Sequence, residues 1–315
     1  MQVVTKSGKI EVMDTNNWKE EWKRALSYGL ELEPVKVRGR IFITGMGGSG
    51  IVGEVAKHIT DMNIVFSKLP VEEKFDWVVA VSYSGNTMET IHTVNVMKKL
   101  GNRIIAVTSG GELEKLGDRV VKLPTGMIPR DAFPYMLSSV LAVIDAKEEL
   151  KEAIRGVEET DLKRADEIIR ETLGDDPQKP REPVIYSSGW MIAVAKRFKQ
   201  QLNENAKMFA SFSKMPDSFH NDIEPFFWDK ENRHIPIIIG NGHLAKEASR
   251  LIPGAYHIVA DKRTKAVEVV GSIFLLDYVS VKLAEIRKVD RIAIPGITKS
   301  KEIVNNLKSL HDKVG

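Results

Sequence analysis

The sequence predicts an α/β protein of two lobes, each a mainly parallel β-sheet flanked by helices. Short apolar runs alternate with helical stretches in both halves of the chain, which is the pattern that leads to parallel sheets. These runs are bounded by Gly, Ser or Pro, as is typical of buried strands. With 315 residues and 43% apolar content, the chain is long enough to form two cores.

The first half opens with Trp18, Trp22 and Leu26 at helical spacing, which predicts a helix over Asn16–Tyr28 that covers the following domain. An alternation of strands and helices comes next. Strands are predicted at Arg40–Thr44, Asn63–Leu69, Trp77–Ser82, Arg103–Thr108 and Val120–Leu123. Helices are predicted at Gly50–Ile59, Met88–Leu100, Leu113–Leu116 and Ala132–Leu150.

A highly charged stretch from Asp145 to Pro183 separates the two halves and ends in a segment with too many prolines to continue a helix. We expect the lobe junction within it, with an N-terminal lobe over residues 1–150 and a C-terminal lobe over 151–315. In the second lobe, strands are predicted at Val184–Ser188, Ile235–Ile239 and His257–Ala260, and helices at Met191–Ala206 and Ser272–Arg287.

Composition restricts the possible functions. The 46 basic and 43 acidic side chains give a net charge of only +3, so nothing requires a nucleic-acid partner, although a small anionic substrate is allowed. The chain has no cysteine, which excludes disulfides and thiolate metal sites. We expect no signal peptide and no membrane span, because the strongest apolar run, Gly271–Val281, is too short. The expected compartment is the cytoplasm.

The glycine-rich segment Gly45–Gly50 follows a predicted strand and opens a helix, so its amides could converge on an anion. It also matches the dinucleotide pattern G-x-G-x-x-G. That interpretation needs an acidic residue at the end of the second strand, yet Glu72 and Glu73 lie beyond Pro70. A nicotinamide site and a tight turn without a ligand stay as alternatives to a generic anion loop.

A second segment, Ser82–Thr87, places three hydroxyl groups at the start of one helix. Ser82, Ser84 and Thr87 could all donate hydrogen bonds to a phosphate monoester, whose charge the helix dipole favours. The alternative is that one hydroxyl caps the helix and the others are solvated. A further glycine-rich strand end, Thr108–Gly111, opens on the same edge of the sheet, where ligands of α/β folds collect.

These three loops resemble those of the sugar isomerase (SIS) domain. More narrowly, the chain resembles the archaeal bifunctional phosphoglucose/phosphomannose isomerases, which carry two SIS lobes, and the similarity spans nearly its whole length. Beyond the loops, the segments that carry the resemblance are Pro129-Arg130, Asn203–Lys207, His220-Asn221 and Ser280–Arg287.

The resemblance implies an isomerase that interconverts glucose 6-phosphate and fructose 6-phosphate, with mannose 6-phosphate as a second aldose, in glycolysis or gluconeogenesis. It implies no cofactor, no metal and a homodimer in which the partner subunit contributes the histidine. The implied phosphate ligands are Gly48, Ser49, Ser82, Ser84 and Thr87. The implied catalytic residues are Glu204 as the base, Arg130 beside the enediolate, and His220 and Lys301 for opening of the sugar ring.

The residues themselves allow this chemistry, since isomerisation needs one base near two carbons and a positive group near their oxygens. Glu204 points away from the apolar stripe of its predicted helix, although an exposed surface glutamate is the alternative. The sequence departs from the family at Ile294, where the bifunctional enzymes have a threonine before the proline. This difference puts activity on mannose 6-phosphate in question. A non-catalytic SIS module that senses a sugar phosphate is the other functional hypothesis.

Overall fold

The computed structural model describes residues 12–35, 39–260 and 263–303. Within these residues, the chain forms one parallel sheet in each half, and helices flank both sheets. This arrangement confirms the predicted α/β class. No helix in the described ranges has the length and apolar character needed to cross a bilayer.

The first sheet contains β1 (Ile41–Gly45), β2 (Ile64–Phe66), β3 (Trp77–Val81), β4 (Ile104–Thr108) and β5 (Arg119–Lys122). Their spatial order is β2-β1-β3-β4-β5, with every neighbouring pair parallel. β1 and β4 are buried along their whole length, which explains why they are continuous apolar runs rather than alternating ones. The helices of this half are α1 (Trp18–Ser27), α2 (Gly47–Ile59), α3 (Met88–Lys99), α4 (Glu112–Leu116) and α5 (Phe133–Val143).

The second sheet contains β6 (Glu182–Ser187), β7 (Ser211–Lys214), β8 (His234–Ile239) and β9 (Tyr256–Ile258). Its spatial order is β7-β6-β8-β9, and it too is parallel throughout. The helices of this half are α6 (Lys147–Glu159), α7 (Arg164–Leu173), α8 (Ile192–Glu204), α9 (His243–Leu251) and α10 (Lys265–Ile286). Residues 295–303 are also helical.

The chain reverses direction across the first sheet between β1 and β3. After β1 the chain moves outward to β2, and it then returns to the other side of β1 to form β3. Such a switch point leaves a crevice at the carboxyl ends of the two strands. Gly45 and Val81 are register partners at these ends, so the loops that follow β1 and β3 lie side by side.

One predicted helix is wrong in extent. The sequence predicts a continuous helix over Ala132–Leu150, whereas the structure has α5 and α6 with a break between them. At the break Asp145 adopts a positive φ of 66°, a left-handed conformation that aspartate tolerates better than most residues. Because the residues on either side of Asp145 are apolar and good helix formers, the sequence pattern around it does not indicate that the helix is interrupted.

The charged stretch between the lobes contains more structure than expected. It forms α6 and α7, whose charged residues lie outward while Leu150, Ala153 and Ile168 are buried. Two further elements, β7 and α9, were not predicted from the sequence. The boundary placed after residue 150 lies inside α6 and stays a prediction.

The N-terminal helix connects the two halves as well as covering the first. Trp22 of α1 is 1% exposed, and its ring lies 6.0 Å from that of Phe133 in α5 and 5.5 Å from that of Phe274 in α10. Trp18 donates from its indole nitrogen to the Phe274 carbonyl at 3.3 Å. One aromatic cluster therefore joins α1 to a helix from each half.

We expect Trp22→Ala to destabilise the whole chain by about 3–5 kcal/mol, because it leaves a cavity where three helices meet. Urea denaturation followed by circular dichroism measures this free energy of unfolding. Trp228→Ala is the matched control, since Trp228 is 74% exposed and its removal should cost less than about 0.5 kcal/mol. Equal effects of the two substitutions would contradict this role for Trp22.

Candidate active site

The glycine-rich loop after β1 forms the first turn of α2. The helix begins at Gly47, three residues earlier than predicted, so Gly48 and Ser49 lie inside it. Amides of a first helical turn have no acceptor within the helix. A Cβ added at Gly47 or Gly48 would meet nothing within 4 Å, so this turn faces open space. The combination of free amides, the positive end of the helix dipole and open space suits an anion.

The hydroxyl-bearing loop after β3 lies beside that turn. Ser82 is only 2% exposed and donates from its hydroxyl to the hydroxyl of Thr87 at 3.0 Å. Thr87 occupies the N-cap position of α3, yet its side chain accepts no hydrogen bond from a helix amide. Ser84 accepts a 3.4 Å hydrogen bond from the amide of Asn86 in its own turn. None of these three hydroxyls therefore serves as a cap of α3. Ser84 and Thr87 keep their protons for a ligand, whereas Ser82 can donate to one only by giving up its bond to Thr87.

The third glycine-rich segment, Thr108–Gly111, packs against the hydroxyl-bearing loop Ser82–Thr87 (the hydroxyl loop). The Ser109 hydroxyl donates to the Tyr83 carbonyl at 2.6 Å. Gly85 has a positive φ of 66°, and a Cβ there would lie 1.7 Å from the Gly110 carbonyl oxygen. The two backbones approach so closely that only glycine fits at this contact. The segment predicted as a further ligand loop thus fixes the conformation of its neighbour.

Arg130 lies between β5 and α5 and is 5% exposed. Its Nε donates to Oδ1 of Asn205 at 2.5 Å, and its Nη2 donates to the carbonyl of Arg291. Its Nη1 lies 3.7 Å from Oε2 of Glu204. Burial lowers the pKa of Arg130, and the negative charge of Glu204 opposes this shift. A guanidinium keeps its proton in such surroundings, so a fixed positive charge faces Glu204.

Glu204 is the last residue of α8, and its side chain is 28% exposed. This helix packs against α2. Nζ of Lys196 lies 2.6 Å from Oε1 of Glu54, and Gln200 lines a cavity of about 310 Å³ that also reaches Gly47. Glu204 is one helical turn, about 6 Å, beyond Gln200. The end of α8 therefore lies one turn beyond a residue that shares this cavity with the first turn of α2.

A buried ion pair supports the loop that carries Arg130. Arg197 of α8 is 1% exposed and donates from Nε to both carboxylate oxygens of Asp277, each at 3.0 Å. It also donates from Nη2 to the backbone carbonyl of Arg130 at 3.0 Å. Burial raises the pKa of Asp277 to about 6, against the lowering effect of Arg197. Near neutral pH the carboxylate is charged and holds Arg197 in place.

The segment after α10 is attached to the same cluster. Nζ of Lys207 donates to the carbonyls of Glu204 at 2.6 Å and Ala293 at 2.5 Å. Burial and the nearby Arg130 lower the pKa of Lys207. Because Ala293 precedes Ile294, these bonds bring the position that departs from the family pattern close to the end of α8.

Two of the predicted site residues lie apart from this cluster. His220 ends a 3₁₀ turn at Asp217–His220, and Lys301 lies in the helical segment 295–303. Both side chains are exposed. In the part of the chain that the structure describes, neither forms a hydrogen bond or ion pair with Arg130 or Glu204. Their roles stay predictions.

Sequence reasoning missed several residues of the cluster, namely Arg197, Asn205, Lys207 and Asp277. Asn205 and Lys207 belong to a segment that carries the family resemblance, and this was the available signal for them. Arg197 and Asp277 gave no such signal in the sequence. The sequence of a helix does not indicate which residue a charged side chain on its apolar face will pair with once the helices pack together. Asp277 in particular lies in the most apolar run of the chain.

Two family models match the chain. The SIS domain matches residues 35–146, and the bacterial phospho-glucose isomerase C-terminal SIS domain matches residues 176–304. Each match spans one of the two sheets.

Among curated proteins, the chain is similar to the bifunctional phosphoglucose/phosphomannose isomerase of Pyrobaculum aerophilum, with 31% identity over 91% of this chain and 96% of the relative. It is also 31% identical to the D-glucosamine-6-phosphate 4-epimerase of Sulfolobus acidocaldarius, over 92% of this chain and 96% of the relative. Among solved structures, the C-terminal domain of glucosamine-fructose-6-phosphate aminotransferase from Francisella tularensis superposes with a TM-score of 0.64. At 14% identity over 88% of this chain and 95% of that chain, it shows a shared fold.

We expect Gly85→Ala to weaken the binding of a sugar phosphate at least about tenfold, because the added Cβ forces the hydroxyl loop away from Thr108–Gly111. Isothermal titration with fructose 6-phosphate measures the affinity. Gly242→Ala is the control, since Gly242 has a φ of −61° and a Cβ there would meet nothing within 4 Å. Unchanged affinity in Gly85→Ala would show that binding does not need this loop conformation.

Proposed function

We propose, because the chain belongs to the bifunctional phosphoglucose/phosphomannose isomerase family, that it interconverts glucose 6-phosphate and fructose 6-phosphate, with mannose 6-phosphate as a second aldose. The observation that carries the proposal is the meeting of two features from different lobes. The carboxylate of Glu204, at the end of α8, lies 3.7 Å from the buried Arg130 guanidinium of the first lobe. The same helix packs against α2, whose first turn carries the loop proposed to bind the anion. Such a reaction serves glycolysis or gluconeogenesis.

The phosphate of the substrate is held by the first turn of α2, through Gly48 and Ser49, and by the hydroxyls of Ser82, Ser84 and Thr87. This fixes one end of the sugar and leaves its reacting carbons near the end of α8. Phosphate oxygens accept the hydrogen bonds of these hydroxyls and amides, and two helix dipoles favour their charge.

Glu204 removes the proton from C2 of the open-chain aldose, and the electron pair of that C–H bond forms the C1–C2 double bond while the π pair of the C1 carbonyl moves onto O1, which gives a cis-enediolate. The Nη1 edge of Arg130 stabilises the negative charge on the two oxygens. Glu204 then returns the proton to C1 while the hydroxyl proton moves from O2 to O1, which gives the ketose. The same steps in reverse give the aldose, and atoms and charge balance in both directions.

His220 and Lys301 are proposed to act before this step, in opening the sugar ring. An imidazole can transfer a proton between the ring oxygen and O1 near neutral pH. Both side chains are exposed in the single chain, so we propose a cytoplasmic homodimer in which His220 of one subunit completes the site of the other.

A second candidate reaction is 4-epimerisation of D-glucosamine 6-phosphate. It is favoured by the 31% identity to the Sulfolobus acidocaldarius epimerase over 92% of this chain. The two reactions differ in the carbon that changes, so product analysis separates them.

We expect the wild-type chain to convert fructose 6-phosphate into glucose 6-phosphate and, in D₂O, to introduce deuterium at C2, as measured by NMR. Glu204→Gln should lower kcat about 10³-fold and leave binding within about threefold, because the amide cannot accept the proton. Glu231→Gln, on a surface loop, is the control and should retain full activity.

Other results would redirect the assignment. Epimerised glucosamine 6-phosphate without isomerised fructose 6-phosphate would favour the second candidate. Binding without any turnover would favour a sensing module over an enzyme.

Mixed dimers test the shared site. Glu204→Gln and His220→Ala subunits should each be inactive, and co-refolding them in equal amounts should restore about a quarter of wild-type activity, because half of the dimers carry one intact site. Glu204→Gln mixed with Arg130→Ala is the control. Arg130 and Glu204 belong to one chain, so no intact site forms and no activity should return. Absence of recovery in the first mixture would contradict exchange of His220 between subunits.

A further inference from the structure

Asn205 follows the proposed base directly in the chain and is fully buried, with 0% exposure. Its side chain has hydrogen bonds on both ends. Oδ1 accepts from Nε of Arg130 at 2.5 Å, and Nδ2 donates to Oγ of Ser280 at 3.0 Å. Asn205 therefore connects a loop of the first lobe to α10 of the second, at the residue next to Glu204.

The chemistry of these groups allows only one orientation of the Asn205 amide. A guanidinium has donors and no acceptor, so the carbonyl oxygen of Asn205 has to face Arg130. The Ser280 hydroxyl donates its only proton to the Asp277 carbonyl at 2.7 Å, so it presents a lone pair to Nδ2 of Asn205. Each bond in this sequence pairs one donor with one acceptor, which makes the arrangement rigid.

This bonding determines which edge of Arg130 is free. The Nε edge is occupied by Asn205, and Nη2 by the carbonyl of Arg291. The backbone carbonyl of Arg130 is held by Arg197 at 3.0 Å. What stays available is Nη1, which faces Glu204 at 3.7 Å. A guanidinium held on its other edges needs little reorganisation when negative charge develops beside Nη1.

We infer that Asn205 is a positioning residue for isomerisation, which holds the Nη1 edge of Arg130 at a set distance from the Glu204 carboxylate. The inference rests on the proposed function. Since the side chain of Asn205 bonds to Arg130 and its backbone continues from Glu204, one residue sets the separation of the base and the cation. It acts through Arg130 and touches no substrate atom.

The neutral charge of Asn205 is part of this role. An aspartate has the same size, but its carboxylate would lie beside Arg130 as a further negative charge in addition to Glu204 and Asp131. A closer carboxylate neutralises the guanidinium and reduces the positive potential available to the enediolate. The structure therefore requires an acceptor at position 205 that carries no charge.

The experiment compares Asn205→Ala and Asn205→Asp with wild type in the isomerase assay, with urea denaturation as a check of folding. We expect Asn205→Ala to lower kcat about 10²-fold and Asn205→Asp to lower it about tenfold. KM should stay within about threefold of the wild-type value in both variants, because the residues proposed to bind the phosphate are unchanged. Asn95→Ala, at an exposed position of α3, is the control and should retain wild-type kcat.

A double-mutant cycle with Arg130→Ala tests whether Asn205 acts through the arginine. We expect Arg130→Ala/Asn205→Ala to be no slower than Arg130→Ala alone, because a residue that only positions Arg130 has nothing left to position. A further loss in the double variant equal to that of Asn205→Ala, or an unchanged kcat in Asn205→Ala, would overturn the inference.

Two further outcomes are distinguishable. Should Asn205→Ala fail to fold, the isosteric Asn205→Asp carries the test, and wild-type kcat in that variant would overturn the inference. An inactive wild-type chain would instead remove the proposed function.

Discussion

A positive charge buried between two lobes is the constraint on which the site depends. Arg130 is 5% exposed, so its donors need partners inside the protein, and the second half of the chain supplies them. The Asn205 amide and the Arg291 carbonyl satisfy two edges, and the remaining edge meets Glu204. Because a buried charge left unpaired is strongly destabilising, the lobes are held in the one relative placement that satisfies the guanidinium.

With the lobes placed in this way, the two sheets contribute different parts of the proposed site. The first sheet provides the crevice proposed to bind the phosphate, because the chain reverses between β1 and β3 and leaves two helix starts side by side. The second half contributes α8, which packs against α2 and ends in Glu204. A phosphate site and a base on separate lobes can each be rigid, and their separation is then set by how the lobes pack. The family relationship fits this division, since each matching model covers one sheet.

The sequence predicted the parallel sheets and the loops that face the crevice, because buried apolar strands ending in glycine or serine have strong local signals. It did not predict the break at Asp145, where a single residue in the left-handed conformation interrupts an otherwise helical pattern. It also missed the support of the site. Asp277 and Arg197 are 80 residues apart, and nothing local in an apolar helix indicates which charge its aspartate will meet. The Thr108–Gly111 segment was placed at the correct edge, although its contacts show a supporting role.

Arg130 and the carbonyl of Arg291 that accepts its hydrogen bond are synthesised at different times, because they are far apart in the chain. All five strands of the first sheet precede residue 123, so this sheet can assemble while the rest of the polypeptide is still being synthesised. Arg130 emerges early, but the carbonyl that accepts from its Nη2 is translated 161 residues later. The guanidinium therefore lacks one of its partners until Arg291 has been synthesised. The arrangement that holds Arg130 cannot be complete before that point, however early the first sheet forms.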